Sequence, residues 1–173
     1  MEINRDIELD ITGLGIILYS EQAVAHIGED EDYFSENYQT AEQVLKHIYE
    51  GTIVGFATGS PGKYILKVRY GYPEEEVLDL SDYVLRLGIH VMGGKVFTRD
   101  LYDLMEWTFE CPKEQTIELK DGYYHITLHS NLPNSKRRGD NQVIFIYFNK
   151  LDKMPELKYR GVPMLWNPSS PNS

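Results

Sequence analysis

His90, His125 and His129, the single Cys111 and the stretch "ATGSPGKY" (57–64) are the residues whose types and spacing could do chemistry in this chain. His125 and His129 are four apart, the spacing at which a helix would offer both rings to one metal ion. They lie in the alternating run "YYHITLHS", however, which reads as a strand. On a strand they share a face but stand about 13 Å apart at ~3.3 Å per residue, too far for one ion. His90 sits in another alternating run and meets them only if the two strands pair. No metal or other cofactor is expected. These residues leave one alternative open: a small-ligand-binding or enzymatic β-rich domain whose pocket is lined by His90, His125, His129 and tyrosines.

The other chemistries fail on spacing. A phosphate loop needs four residues between its glycines, then Lys-Ser/Thr and a helix. Gly59 and Gly62 are too close, and a strand-like run follows them. Pro61-Gly62 reads as a turn instead. Cys111 lies beside Pro112 with Glu110 and Glu114 nearby, and negative charge raises a thiol pKa and blunts its reactivity. Ser60 lacks the G-x-S-x-G frame of a nucleophile elbow. One cysteine builds no disulfide framework, which fits a reducing compartment. The chain is read as non-enzymatic.

Charge is more informative. The chain has 17 Lys+Arg against 27 Asp+Glu, a net charge of −10. Residues 1–50 hold two cations, Arg5 and Lys46, against twelve acids; the remainder hold fifteen of each sign. The whole net charge therefore lies in the first third. Such asymmetry argues against direct nucleic-acid binding there and for a basic partner. Within that third, "HIGEDEDYFSENY" (26–38) interleaves Glu29, Asp30, Glu31, Asp32 and Glu36 with Tyr33, Phe34 and Tyr38. Acids steer a basic partner and buried aromatics lengthen its stay, so these eight residues are the expected contact surface. Glu74, Glu75 and Glu76, in the second acidic and tyrosine-flanked run "YPEEEVLDLSDY" (72–83), join them. The basic loop "SKRRGD" (135–140) sits in a negative field and is read as solvated.

The elements that must position these residues read as mostly sheet. "IELDITGLGIILY" (7–19) alternates and then turns apolar, a long strand with a bulge at Gly13 or Gly15. "QAVAHIG" (22–28) returns as a strand, and the acidic stretch forms a loop. Thr40 caps a helix over "AEQVLKHIYEG", with Gln43 at the capping-box position and Gly51 as the stop. "TIVGFAT" (52–58) and "KYILKVRY" (63–70) flank a turn as a hairpin. "YVLRLGIHVM" (83–92) is a half-buried strand, and Thr98 caps a short helix over 99–107. "TIELKDGYYHITLHS" (116–130) is a hairpin turning at Asp121-Gly122, and "QVIFIYFNK" (142–150) is the strongest strand. The expected fold is α+β, mostly antiparallel β, as a curled sheet or β-sandwich with about two short helices. One globular domain spans 1–167, and 168–173 form a flexible tail. The N-terminus is too polar for a signal peptide, and "GLGIILY" is too short to span a bilayer. A cytoplasmic location away from membranes is expected.

The segments "GTIVGFATGSPGKYILKVRY" (51–70), "DGYYHITLHSN" (121–131), "VIFIYFNK" (143–150) and "GVPMLW" (161–166), in this order, give the chain a resemblance to a protein family. It resembles the small β-rich immunity proteins of bacterial contact-dependent growth inhibition and related polymorphic toxin systems, particularly those that neutralise nuclease toxins. Competence-associated nuclease inhibitors are a more distant likeness. The resemblance implies a cytoplasmic protein that binds a cognate toxin's C-terminal domain and blocks its active or nucleic-acid-binding surface. A basic nuclease domain as that partner agrees with the acidic first third.

Overall fold

The computed structural model describes residues 3–165; the expected tail at 168–173 lies outside them. Ile7, Leu9 and Ile11 do alternate into the core, but their strand stops at Ile11. β1 (Asn4–Ile11) belongs to one sheet and β2 (Gly15–Ser20) to another. The run expected as one long bulged strand is thus two strands joined by a crossing. The Asp100 carboxylate fixes it, accepting from Thr12 N at 2.8 Å and Gly13 N at 3.3 Å. Gly13 is required there, since a Cβ would fall 2.6 Å from Asp100 Oδ1 and 2.7 Å from the Tyr102 ring.

The remaining strands are β3 (Ile53–Ala57), β4 (Gly62–Tyr70), β5 (Tyr83–Val91), β6 (Lys95–Asp100), β7 (Thr116–Glu118), β8 (Gly122–Ser130) and β9 (Asp140–Leu151). They form a five-stranded sheet, β1-β4-β9-β8-β5, and a four-stranded sheet, β3-β2-β6-β7. All pairs are antiparallel except β4 with β9. The fold is therefore α+β and dominated by sheet. The inward row of the five-stranded sheet includes Leu66, Ile126, Ile146 and Phe148, which join Trp107 and Tyr19 in one buried cluster.

The two expected hairpins do not form. β3 and β4 lie in different sheets, and so do β7 and β8. A turn signal fixes a local reversal, but the burial of each strand decides its partner. The same device pins both crossings. Tyr64 and Tyr124, buried near the starts of β4 and β8, donate their hydroxyls to the carbonyls four residues back, Ser60 O and Lys120 O, each at 2.7 Å. Asp121 does not shape a hairpin; its Oδ1 accepts from Gly93 N at 2.9 Å and Gly94 N at 2.7 Å. It ties the β7–β8 crossing to the one between β5 and β6.

Among the described residues there are three short α-helices: α1 (Tyr33–Asn37), α2 (Ala41–Glu50) and α3 (Glu75–Asp79). α2 is capped as expected. Thr40 Oγ1 accepts from Gln43 N, Gln43 Oε1 accepts from Thr40 N, and Gly51 ends the helix at φ 71°. Residues 22–28 are not a strand; they hold a single 3-10 turn at Gln22–Val24. The helix expected over 99–107 is a 3-10 turn, Leu101–Met105, capped by Asp100 rather than Thr98. Thr98 lies inside β6, its hydroxyl donating to Gln115 O. No helix among the described residues is long and apolar enough to cross a membrane.

Candidate functional site

The first acidic run is a folded platform. Asp32 caps α1, its Oδ1 accepting from Ser35 N at 3.1 Å and its Oδ2 from Ser35 Oγ at 2.6 Å. Those bonds hold its carboxyl below the ordinary aspartate range. Glu31 Oε1 accepts from Gly28 N at 2.9 Å, and Glu29 Oε1 accepts from Phe109 N at 2.8 Å. Three of the five carboxylates therefore hold backbone. Asp30 and Glu36 are exposed, and among the described residues neither carboxylate has a hydrogen bond or ion pair. Asp30 takes a left-handed φ of 65°, a conformation that Asp and Asn tolerate best among residues with a side chain.

The aromatics of this run do not face solvent as expected. Tyr33 is 7% exposed and Tyr38 is 2% exposed, while Phe34 is half-buried against the core. Their rings are large enough to carry the run's packing, and their polar tips find partners inside. Tyr38 OH donates to Ile53 O on β3 at 3.1 Å. His47 Nδ1 donates to Gln43 O, so its Nε2 accepts from Tyr33 OH at 2.8 Å. Burial pushes both phenols above their ordinary pKa. The run shows its acids and hides its aromatic rings.

Beneath the acids lies a buried cation that the sequence analysis did not single out. Arg99 on β6 is 4% exposed. Its Nε donates to Asp103 Oδ2 at 2.8 Å, and its NH1 donates to Thr108 O at 2.7 Å and to Tyr19 OH at 3.1 Å. Its guanidinium carbon stands 4.7 Å from the centre of the Trp107 ring. Trp107 in turn holds the acidic loop by two backbone bonds: Asp30 N donates to Trp107 O at 2.7 Å, and Trp107 N donates to Glu31 O at 3.0 Å. Arg99 is thus the post on which the acidic platform stands. Arg99 stands between Thr98 and Asp100 in "VFTRDL", an ordinary polar setting that reads as a helix start and gives no local signal of burial.

The second acidic run lies on another layer. Residues 71–82 pass over the outer face of the five-stranded sheet, where Tyr72 OH meets His125 Nδ1 at 3.0 Å and Ser81 Oγ meets His129 Nδ1 at 3.2 Å. α3 buries none of its residues. Glu74, Glu75 and Glu76 are exposed at its start, so the two sets of expected contact residues lie on separate segments, one around α1 and one around α3. Between α3 and β8–β9 runs a groove of about 650 Å³, lined by Val77, Leu80, His129, Gln142, Phe145 and Tyr147 among others.

The three strand histidines do not share this groove. His90 stacks on Tyr123 at 4.3 Å, while His125 and His129 are each engaged by a hydroxyl of the 71–82 segment. Only His129 lines the groove. It is 4% exposed and stacks on Phe145 at 4.7 Å. Burial lowers the pKa of both His125 and His129, with Arg86 adding to the effect at His125. Among the described residues, no cluster of three or more His, Cys, Asp or Glu could hold a metal ion.

The arrangement of strands has known counterparts. The fold resembles that of ComJ. ComJ from Bacillus subtilis, an inhibitor of the DNA-degrading activity of NucA, superposes with a TM-score of 0.55 over 87% of this chain and 99% of its own, at 12% identity. The protein of crocagin biosynthetic gene J superposes with a TM-score of 0.54 over 85% of this chain and 97% of its own, also at 12% identity. At that identity the likeness is one of fold. No protein-family model and no curated protein sequence matches the chain. The likeness expected from the sequence is thus present as a likeness of fold to ComJ, which itself inhibits a nuclease.

Proposed function

We propose that this chain is a cytoplasmic, non-enzymatic immunity protein. It binds a cognate toxin of a contact-dependent or related polymorphic system, a basic nuclease domain, and covers that domain's active or nucleic-acid-binding surface. The observation that carries the reading is the folded acidic platform at residues 29–36, in a chain whose whole net charge lies in its first fifty residues. A nuclease must attract phosphate, so its cleft is basic. A preorganised acidic surface competes for that cleft and speeds encounter. The ComJ-like fold supports the same reading. Glu29, Asp30, Glu31, Asp32 and Glu36 supply the field, and Glu74, Glu75 and Glu76 extend it on the other layer. Tyr33, Phe34 and Tyr38 act indirectly, by fixing the platform.

The test is co-purification of the tagged chain with the toxin domain encoded beside it, at low and moderate salt, together with a nuclease assay. A complex that weakens with salt and abolishes nuclease activity is the expected result. The variant that isolates steering is Asp30→Asn with Glu36→Lys, because neither carboxylate holds structure and Asn accepts the left-handed backbone. It should slow association several-fold at low salt without changing stability. Absence of a complex at either salt overturns the reading.

A further inference from the structure

We infer that the groove beneath α3 is a docking site for an apolar side chain that a basic protein partner presents between lysines or arginines. This rests on the reading above and names a surface for it.

Two features support it. First, α3 is held over the sheet by hydroxyl–histidine bonds at both flanks, Tyr72–His125 and Ser81–His129, yet buries none of its own residues. Its apolar side chains are displayed: Val77 is 41% exposed and Leu80 is 82% exposed. An amphipathic segment normally turns such residues inward. Here they form one wall of the groove, facing Phe145 and Tyr147 on β9. Second, α3 and its N-cap, which wall the groove through Val77, carry Glu74, Glu75, Glu76 and Asp79, all exposed, and among the described residues none of these carboxylates has a hydrogen bond or ion pair. The cations of the nearby 131–139 loop, Lys136, Arg137 and Arg138, line a separate hollow with Gly59 and Ser60. An apolar wall beside unpaired acids matches a basic loop with one apolar anchor, the arrangement in which the anchor supplies residence time and the charges supply approach.

The experiment titrates isotopically labelled chain with two synthetic peptides, Gly-Lys-Lys-Leu-Lys-Lys-Gly and the same sequence with Ser for Leu, followed by amide and methyl NMR. The expected result is saturable shifts at Val77, Leu80, His129, Phe145 and Tyr147 with the Leu peptide, at least tenfold weaker with the Ser peptide. Leu80→Ser, at a position too exposed to affect folding, should weaken the Leu peptide by a similar factor. Equal binding of both peptides, shifts confined to other surfaces, or no shifts at millimolar peptide overturns the inference. Self-association of the chain that Leu80→Ser abolishes assigns the groove to a second copy and also overturns it. Leu80→Ser in the toxin co-purification separates the two readings. If the complex forms and is unaffected, only the groove inference falls; if no complex forms with the wild-type chain, the immunity reading falls.

Discussion

Arg99→Met removes the charge under the acidic platform while keeping most of the apolar stem. The guanidinium makes three hydrogen bonds, of which those to Thr108 O and Tyr19 OH are shielded from water, and its partner Asp103 has a side chain 38% exposed. Removing one member of a buried, hydrogen-bonded ion pair costs about 3–5 kcal/mol. Asp103 can rehydrate and methionine fills much of the volume, so the lower end applies, ~3 kcal/mol. For a chain of this size each kcal/mol shifts Tm by about 2–4 °C, so the expected drop is about 6–12 °C. Urea and thermal unfolding at neutral pH measure it. Hydrogen exchange adds a local readout: the Asp30 and Trp107 amides, which close the loop against the 107 turn, should lose protection more than the Ile146 amide in the five-stranded sheet. A loss below ~1 kcal/mol with Asp30 still protected would refute the claim that Arg99 supports the platform.

Two further outcomes follow from the geometry. His125 and His129 are held neutral in the fold, below the ordinary histidine value of ~6.5. As pH falls through that value the unfolded chain takes up protons before the folded one does. Their stabilising effect is therefore complete above about 6.5 and is lost as pH drops toward their lowered folded values. Urea midpoints at a series of pH values between 7.5 and 5 should fall in this window, and fall less in a His125→Phe/His129→Phe variant; an identical slope in the variant would refute the assignment. Thr40→Ala should cost about 1 kcal/mol through the lost cap. Gln43→Ala should cost more, because Gln43 also accepts from Gln39 N and donates to Glu36 O, joining α1 to α2. Equal costs in urea unfolding would show that the join contributes nothing.

The helix at 41–50 was legible because its signals are local: Thr40, Gln43 and Gly51 act on their own turn of backbone. The alternation of β5 and β9 was legible for the same reason. The crossings were not. Asp121-Gly122 and the Gly59–Gly62 segment bend the chain, but strand pairing depends on which row of side chains reaches the common core. Charge was visible in the sequence, whereas its allocation was not. Glu29, Glu31 and Asp32 are bound to backbone amides, and only the folded loop distinguishes them from Asp30 and Glu36. Tyr33 and Tyr38 were ambiguous in principle, since an amphipathic ring serves a core or an interface equally well until its hydroxyl partner is known.

The parallel ladder between β4 and β9 bears on how the protein is made. Lys63 pairs with Asp140 and Tyr70 with Phe148, so the five-stranded sheet lacks its middle strand until residues 140–151 have been synthesised. Until then β1–β4 and β8–β5 are two separate pairs, each showing an open edge and an apolar face. Long-range pairings of this kind fold slowly and leave intermediates exposed. Neither sheet is a contiguous stretch of sequence either, so a truncated product would not retain half a sandwich. The nascent chain therefore carries unpaired strand edges until β9 arrives, the condition under which chaperones engage a folding chain.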